Sequence, residues 1–220
     1  MRRPVTWLLG AGFALFLIGV SAIALTAPAF THIVASKTSL AEQAGLPLPR
    51  MLQIAEQVRV FVVDADSPPL PVTVDGRPGF DAAATSHLAD VHTALEGARV
   101  VTGVLAAVLA VVIGVEVARK STDRIADALF AAAIASAVLV ALAVLAATVN
   151  FDAFFSAFHG LFFKAGTWEF PSDSLLIQTF PEPFWIVAGA AWGALVALGA
   201  SAMSAVGWSL RLGNRAHPGQ

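Results

Sequence analysis

The chain has 220 residues, 57% of them hydrophobic and only 13% charged, with a formal net charge of −2. Soluble domains average about 25% charged residues, so this composition belongs in lipid rather than in water. Cysteine is absent, which excludes disulfides, thiolate metal sites and thiol nucleophiles; no basic run is dense enough to hold nucleic acid.

Residues 6–27 form the first apolar stretch, long enough to cross a hydrocarbon core of ~30 Å as a helix of ~20 residues. "MRRP" ahead of it and "ALTAPAF" behind it also suit a cleaved secretory signal. The apolar run exceeds the roughly 7–15 residues of such signals, so a retained helix is expected.

Residues 28–99 come next as an outer segment. "TSLAEQAGLPLPRMLQIAEQVRVFV" has helical spacing interrupted by Pro47 and Pro49, and is expected to lie along the membrane surface. "DADSPPLPVTVDGRPGF" reads as turns, with "PVTVDG" a short strand or hairpin. Asp81 is a candidate N-cap for a helix through "DAAATSHLADVHTALEGA" that continues past Gly97 into the second span. On it His87 and Asp90 share a face, and His92 points elsewhere.

Residues 100–117 and 125–149 are the second and third spans. Residues 150–183 form a second outer segment, opening with "FDAFFSAFHGLFF". With a helix capped by Asp152, a polar stripe of Asp152, Ser156 and His159, continuing to Phe163, would look inward. Phe151, Phe155, Phe158 and Phe162 would face the lipid interface. Trp168 and Trp185 suit an aromatic belt, and Lys164, Glu169 and Asp173 are the charged members of the rest of this segment. Residues 184–208 make the fourth span, with Gly189, Gly193, Ala197, Ser201 and Ala205 as a small-residue packing stripe.

Basic residues set the orientation. Arg2 and Arg3 precede the first span, Arg119, Lys120 and Arg124 lie between the second and third, and Arg211 and Arg215 come after the fourth. With four spans all three groups fall on one side, which is then cytoplasmic. Both termini are inside, and segments 28–99 and 150–183 face outward. The predicted fold is a single all-α integral membrane domain over 1–220. It has four transmembrane helices and an extracytoplasmic cap of short helices and irregular or short β segments.

Nucleophile-elbow, zinc-protease, phosphate-loop and dinucleotide motifs are all missing. Span centres lack ionisable groups, so no ion pathway can be built. His87 and His92 are five apart and rotate to different faces, so no metal site and no cofactor are expected. Two histidines in separate outer segments remain, His87 and His159, each with a carboxylate at helical spacing. Two imidazoles at the outer leaflet can exchange protons near neutral pH, as acyl transfer requires, and lipid esters would reach them from the bilayer.

At "SHLADV" (86–91) and "FHGLFFKAGTWEFPSDSLLIQTFPEPF" (158–184) the chain resembles the bacterial lipoprotein intramolecular transacylase family. The four-span layout fits along nearly the whole chain. The resemblance implies an acyltransferase of the bacterial cytoplasmic membrane. It would move an acyl chain from the glyceryl group of a diacylated lipoprotein N-terminus to the α-amino group of the same cysteine, leaving a lyso-form lipoprotein. It implies His87 and His159 as the catalytic pair; Asp90 (at helical spacing from His87), Ser156 and Asp173 are further candidates in support. Phe155, Phe158, Phe162 and Trp168 would contact acyl chains or the interface. The partners implied are the lipoprotein and membrane lipid; the sequence gives no oligomeric state. Two other readings are a non-catalytic membrane protein binding lipid or a partner through its cap, and a lipid ester hydrolase using the same histidines.

Overall fold

The structure is a computed structural model and describes residues 2–119 and 121–216; Lys120, a member of the basic turn, lies outside the described residues. The elements in chain order are α1 (Arg2–Ala24), α2 (Pro28–Thr38), α3 (Leu48–Val63), β1 (Thr73–Val74), β2 (Arg77–Pro78), α4 (Ala82–Ala118), α5 (Thr122–Val149), α6 (Phe151–His159), α7 (Leu175–Thr179) and α8 (Glu182–Ala216). Among the described residues four helices, α1, α4, α5 and α8, are long and apolar enough to cross a membrane. The predicted spans lie on these helices, with one boundary moved and the expected run of the Asp81-capped helix into the second span observed. α1 stops at Ala24 rather than Ala27, because Pro28 starts α2 in the first-turn position that proline tolerates. α4 is one helix from the cap residue Asp81 onward, whose carboxylate accepts from the Ala84 amide at 2.7 Å.

The chain divides into two units, residues 2–22, 99–149 and 192–216 in one and 23–98 with 150–191 in the other. In the first, small residues let the spanning helices approach closely. A Cβ on Gly10 would stand 3.0 Å from that of Ala131, and one on Gly207 would stand 3.2 Å from the Ala126 carbonyl oxygen. Val111, Leu142, Leu145 and Leu198 turn outward and are well exposed, as lipid-facing positions must be. One expectation fails here. On α8 only Gly193 of the predicted stripe is buried; Ala197, Ser201 and Ala205 are exposed, and burial runs through Gly193, Val196, Ala200 and Gly207. A four-residue repeat gains ~40° per step on a 3.6-residue helix and so cannot hold one face for four turns.

Polar ties close one end of this unit. Arg124 pairs with the buried Glu116 across the α4–α5 turn. At the start of α5, Thr122 bonds Asn214 of α8 at 2.9 Å and Asn214 bonds Asp123 at 2.7 Å, while Arg211 pairs with Asp127 and covers the Phe130 ring.

The second unit has its own core. Met51, Ile54, Ala55 and Val58 recur at i, i+3, i+4 and i+7 on α3 and are buried, packing with Val74, Phe80, Leu88, Leu175 and Phe184. α3 therefore turns its apolar face into protein instead of lying on a membrane surface by that face. The hairpin turns at Asp75 and Gly76, both at positive φ, the conformation a tight Asp-Gly turn requires. It is fastened to α3 by the Arg50–Asp75 ion pair, and α7 is tied down by the Leu40 amide donating to the Gln178 carbonyl.

Candidate active site

The site lies wholly within the second unit. α6 is nine residues long and is capped by Asn150, whose side chain accepts from the Ala153 amide at 3.0 Å. The expected cap, Asp152, is instead an exposed acid of the first turn, where it favours the helix N-terminus. The helix ends at His159. The amides of Phe162 and Phe163 both donate to the His159 carbonyl, at 3.0 and 2.8 Å, which folds the chain back and returns Phe163 to the histidine.

His159 and His87 are both buried, at 7% and 8% exposure. Their ring centroids stand 6.3 Å apart with planes 31° from parallel. Two residues 72 positions apart in sequence thus face one another, His87 beside the buried Ala84 and Leu88 of α4. Aromatic rings enclose the pair. Phe155 lies 4.0 Å from His159, Trp168 4.7 Å and Phe158 5.7 Å. Phe163 lies 5.0 Å from His87 and 5.7 Å from His159, and Phe170 lies 5.6 Å from His87.

Hydrogen bonding fixes one tautomer. His159 Nδ1 lies 2.9 Å from the Phe155 carbonyl oxygen; a carbonyl only accepts, so Nδ1 carries the proton and Nε2 of the neutral ring keeps a lone pair. His87 Nδ1 is buried and has no hydrogen-bond partner among the described residues.

The other expected site residues fall differently. Asp90 is exposed and makes no hydrogen bond to His87, on which it acts only through its charge. Asp152 and Ser156 do not form an inward polar stripe: both are exposed. Of the neighbours one turn back from His159, the ring of Phe155 packs against the imidazole and the hydroxyl of Ser156 stays in solvent, since burying an unpaired hydroxyl costs free energy and burying a ring gains it. Asp173 is exposed as well. Phe162 packs on Phe158 and Phe163 and is 58% exposed. Sequence reasoning left Phe163 and Phe170 out of the site. Helical spacing from His159 pointed to the first, and nothing local distinguished the second from the other aromatics. His92 is held apart, its Nδ1 3.1 Å from the Val62 carbonyl, and among the described residues no three His, Asp or Glu side chains are grouped to hold a metal.

Burial pushes the His159 pKa below its ordinary value, with the bond to the Phe155 carbonyl opposing that shift in part. Folding then favours the neutral ring, and the unfolded chain binds the proton more readily. Stability is expected to be full above about pH 6.5 and to be lost as pH falls from there through the lowered folded value. Melting curves of the detergent-solubilised protein across pH 7.5 to about 5 check this; His159→Gln should flatten the decline.

Four long apolar helices, among the described residues, define a polytopic membrane protein, and it carries a pair of buried imidazoles ringed by aromatic side chains. A sequence model described as lipoprotein intramolecular transacylase Lit matches residues 7–185, and the chain belongs to that family. It is thus an integral-membrane acyltransferase acting on lipoproteins. Three solved structures of the lipoprotein intramolecular transacylase Lit from Bacillus cereus share the fold at 17% sequence identity. The first has a TM-score of 0.81 and covers 99% of each chain. A variant with a histidine replaced by arginine has 0.74, covering 98% of this chain and 94% of that one. A variant with a histidine replaced by alanine has 0.75, covering 99% and 96%. A search of curated proteins returned no significant match.

Proposed function

We propose that this acyltransferase moves an acyl chain from the glyceryl moiety of a lipoprotein's N-terminal cysteine to the α-amino group of the same residue, giving the lyso form, by acid–base catalysis at His159 and His87. The facing of two buried imidazoles across 6.3 Å, one with its tautomer fixed, carries this reading.

An α-amino group has a pKa of about 7.7–8.0, so a useful fraction is neutral at pH 7. As its nitrogen attacks the ester carbonyl, Nε2 of His159 takes the proton it sheds. The tetrahedral intermediate then collapses, the bond from acyl carbon to glycerol oxygen breaks, and His87 protonates the leaving oxygen. The proton held by His159 replaces the one given up by His87. Amine and ester sit on one residue, so the effective concentration is high and no acyl-enzyme is needed. Burial, and then the charge of His159, push the His87 pKa below its ordinary value, and the charge of Asp90 opposes them in part, towards the protonated state this role requires.

The aromatic surroundings support transfer over hydrolysis, since rings on several sides of the histidines disfavour a competing water. Phe155, Phe158, Phe162 and Trp168 are placed in this proposal as acyl-chain contacts. The chain would sit in the bacterial cytoplasmic membrane with both termini inside and this site at the outer leaflet, where the substrate's diacylglyceryl group lies. Mass spectrometry of lipoprotein N-termini from expressing cells tests the reading. An N-acyl, monoacylglyceryl cysteine is expected; unchanged diacylglyceryl cysteine from well-folded enzyme would reject it, and free fatty acid with a free amine would identify a hydrolase.

A further inference from the structure

We infer that the indole N–H of Trp168 is a catalytic hydrogen-bond donor to the carbonyl oxygen of the reacting ester, and to the oxyanion it becomes. The chain has five tryptophans, and the other four show how unusual this one is. Trp7 and Trp208 are exposed at 68% and 60%, so neither indole is shut inside the protein. Trp185 donates to the Phe180 carbonyl at 3.0 Å and Trp192 to the Ile18 carbonyl at 3.3 Å. Trp168 Nε1 is shut away from solvent with no acceptor among the described residues. A buried indole N–H normally finds a partner, and leaving it without one is unfavourable.

The turn before it fixes where that donor sits. Gly166 takes a positive φ of 81°, and the hydroxyl of Thr167 donates to the Lys164 carbonyl at 2.8 Å. The indole is thereby laid against His159 at 4.7 Å, tilted by 34°, with Phe155 edge-on at 6.2 Å. Two polar atoms without partners, Trp168 Nε1 and His87 Nδ1, therefore belong to rings that both neighbour His159. An indole only donates, so any group that completes the site must bring an acceptor. An acyl ester does: its carbonyl oxygen is the atom that gains negative charge when the amine adds.

In electron terms the amine lone pair forms the C–N bond and the carbonyl π pair moves onto oxygen, where Trp168 donates. That pair then re-forms the carbonyl as the C–O bond to glycerol breaks. The leaving oxygen keeps its bonding pair and takes a proton from His87, and the amine's proton has gone to His159. This assignment rests on the ester chemistry proposed above, and its test does not depend on turnover.

The test uses the full chain in detergent with 15N-labelled tryptophan. The Trp168 indole signal is identified by its loss in Trp168→Phe. A cysteinyl peptide with an S-diacylglyceryl group and a blocked, unreactive amine should move that proton downfield, and the dialkyl-ether counterpart, lacking carbonyls, should not. The same response to both ligands, or to neither, overturns the assignment. In turnover, Trp168→Phe should lower kcat by about 10²–10³-fold with little change in KM, the usual effect of losing one oxyanion donor. Benzothienylalanine at position 168 keeps the ring and replaces N–H by sulfur, so it should lose as much; wild-type activity there would also overturn the assignment. An ester-specific indole shift in an enzyme that makes no N-acyl product would sink the transacylase reading and leave the donor standing.

Discussion

Replacing His159 by alanine should lower the rate of N-acyl product formation by about 10²–10⁴-fold, the range for a positioned general base. The size of the loss comes from the tautomer. With Nδ1 committed to the Phe155 carbonyl, the base is Nε2, and an alanine methyl has nothing to put there. His87→Ala should fall in the same range, because the leaving glycerol oxygen would have to depart unprotonated. The pair hands one proton across, so the double variant should lose little more than either single one, as residues acting as a unit do. Rates from purified enzyme and a diacylglyceryl peptide, measured by mass spectrometry, compare all three. Fully additive losses would mean the histidines act separately, and a near-wild-type rate in His159→Ala would remove it from the chemistry. His159→Ala also leaves a gap among Phe155, Phe163 and Trp168, so melting curves must accompany the rates. A loss of about 0.5–3 kcal/mol is ordinary for such a change and leaves the protein folded.

How much of this could be read from the sequence depended on how local each signal was. Runs of twenty apolar residues announce themselves, and so did Asp81 as a cap and "PVTVDG" as a short strand or hairpin, because each needs only its neighbours. Elimination and the family resemblance together singled out His87 and His159 as candidates, and the structure sets their rings 6.3 Å apart. The readings that failed needed tertiary information. The four-residue stripe on α8 matched small residues, and helix packing then selected Gly193, Val196, Ala200 and Gly207, which drift with the true helical period. Asp90 sits at the correct spacing from His87, yet spacing alone cannot make a hydrogen bond, and the imidazole keeps a nitrogen without a partner. Trp168 looked like one more member of an aromatic belt. Only comparison of its buried N–H with those of Trp185 and Trp192 separates it from them.

Phe80→Ala should give the largest loss of stability, about 3–5 kcal/mol, as for other buried phenylalanines. Its ring is 1% exposed in the core of the unit that carries the site. Its amide donates to the Pro71 carbonyl at 2.9 Å, so the residue ties the end of the hairpin to the same core that holds α3 and α7. The backbone bond survives the substitution, and the cost is the lost ring and the cavity left behind. Thermal or denaturant unfolding in detergent measures it; a change below about 1 kcal/mol would mean the core collapses around the gap. Phe80 makes no ring contact with either histidine, so the folded variant should keep kcat close to wild type in the cold and lose activity on warming. His159→Ala should do the reverse, inactive at every temperature while still folded. The opposed temperature profiles separate the residue that builds the site from the residue that uses it.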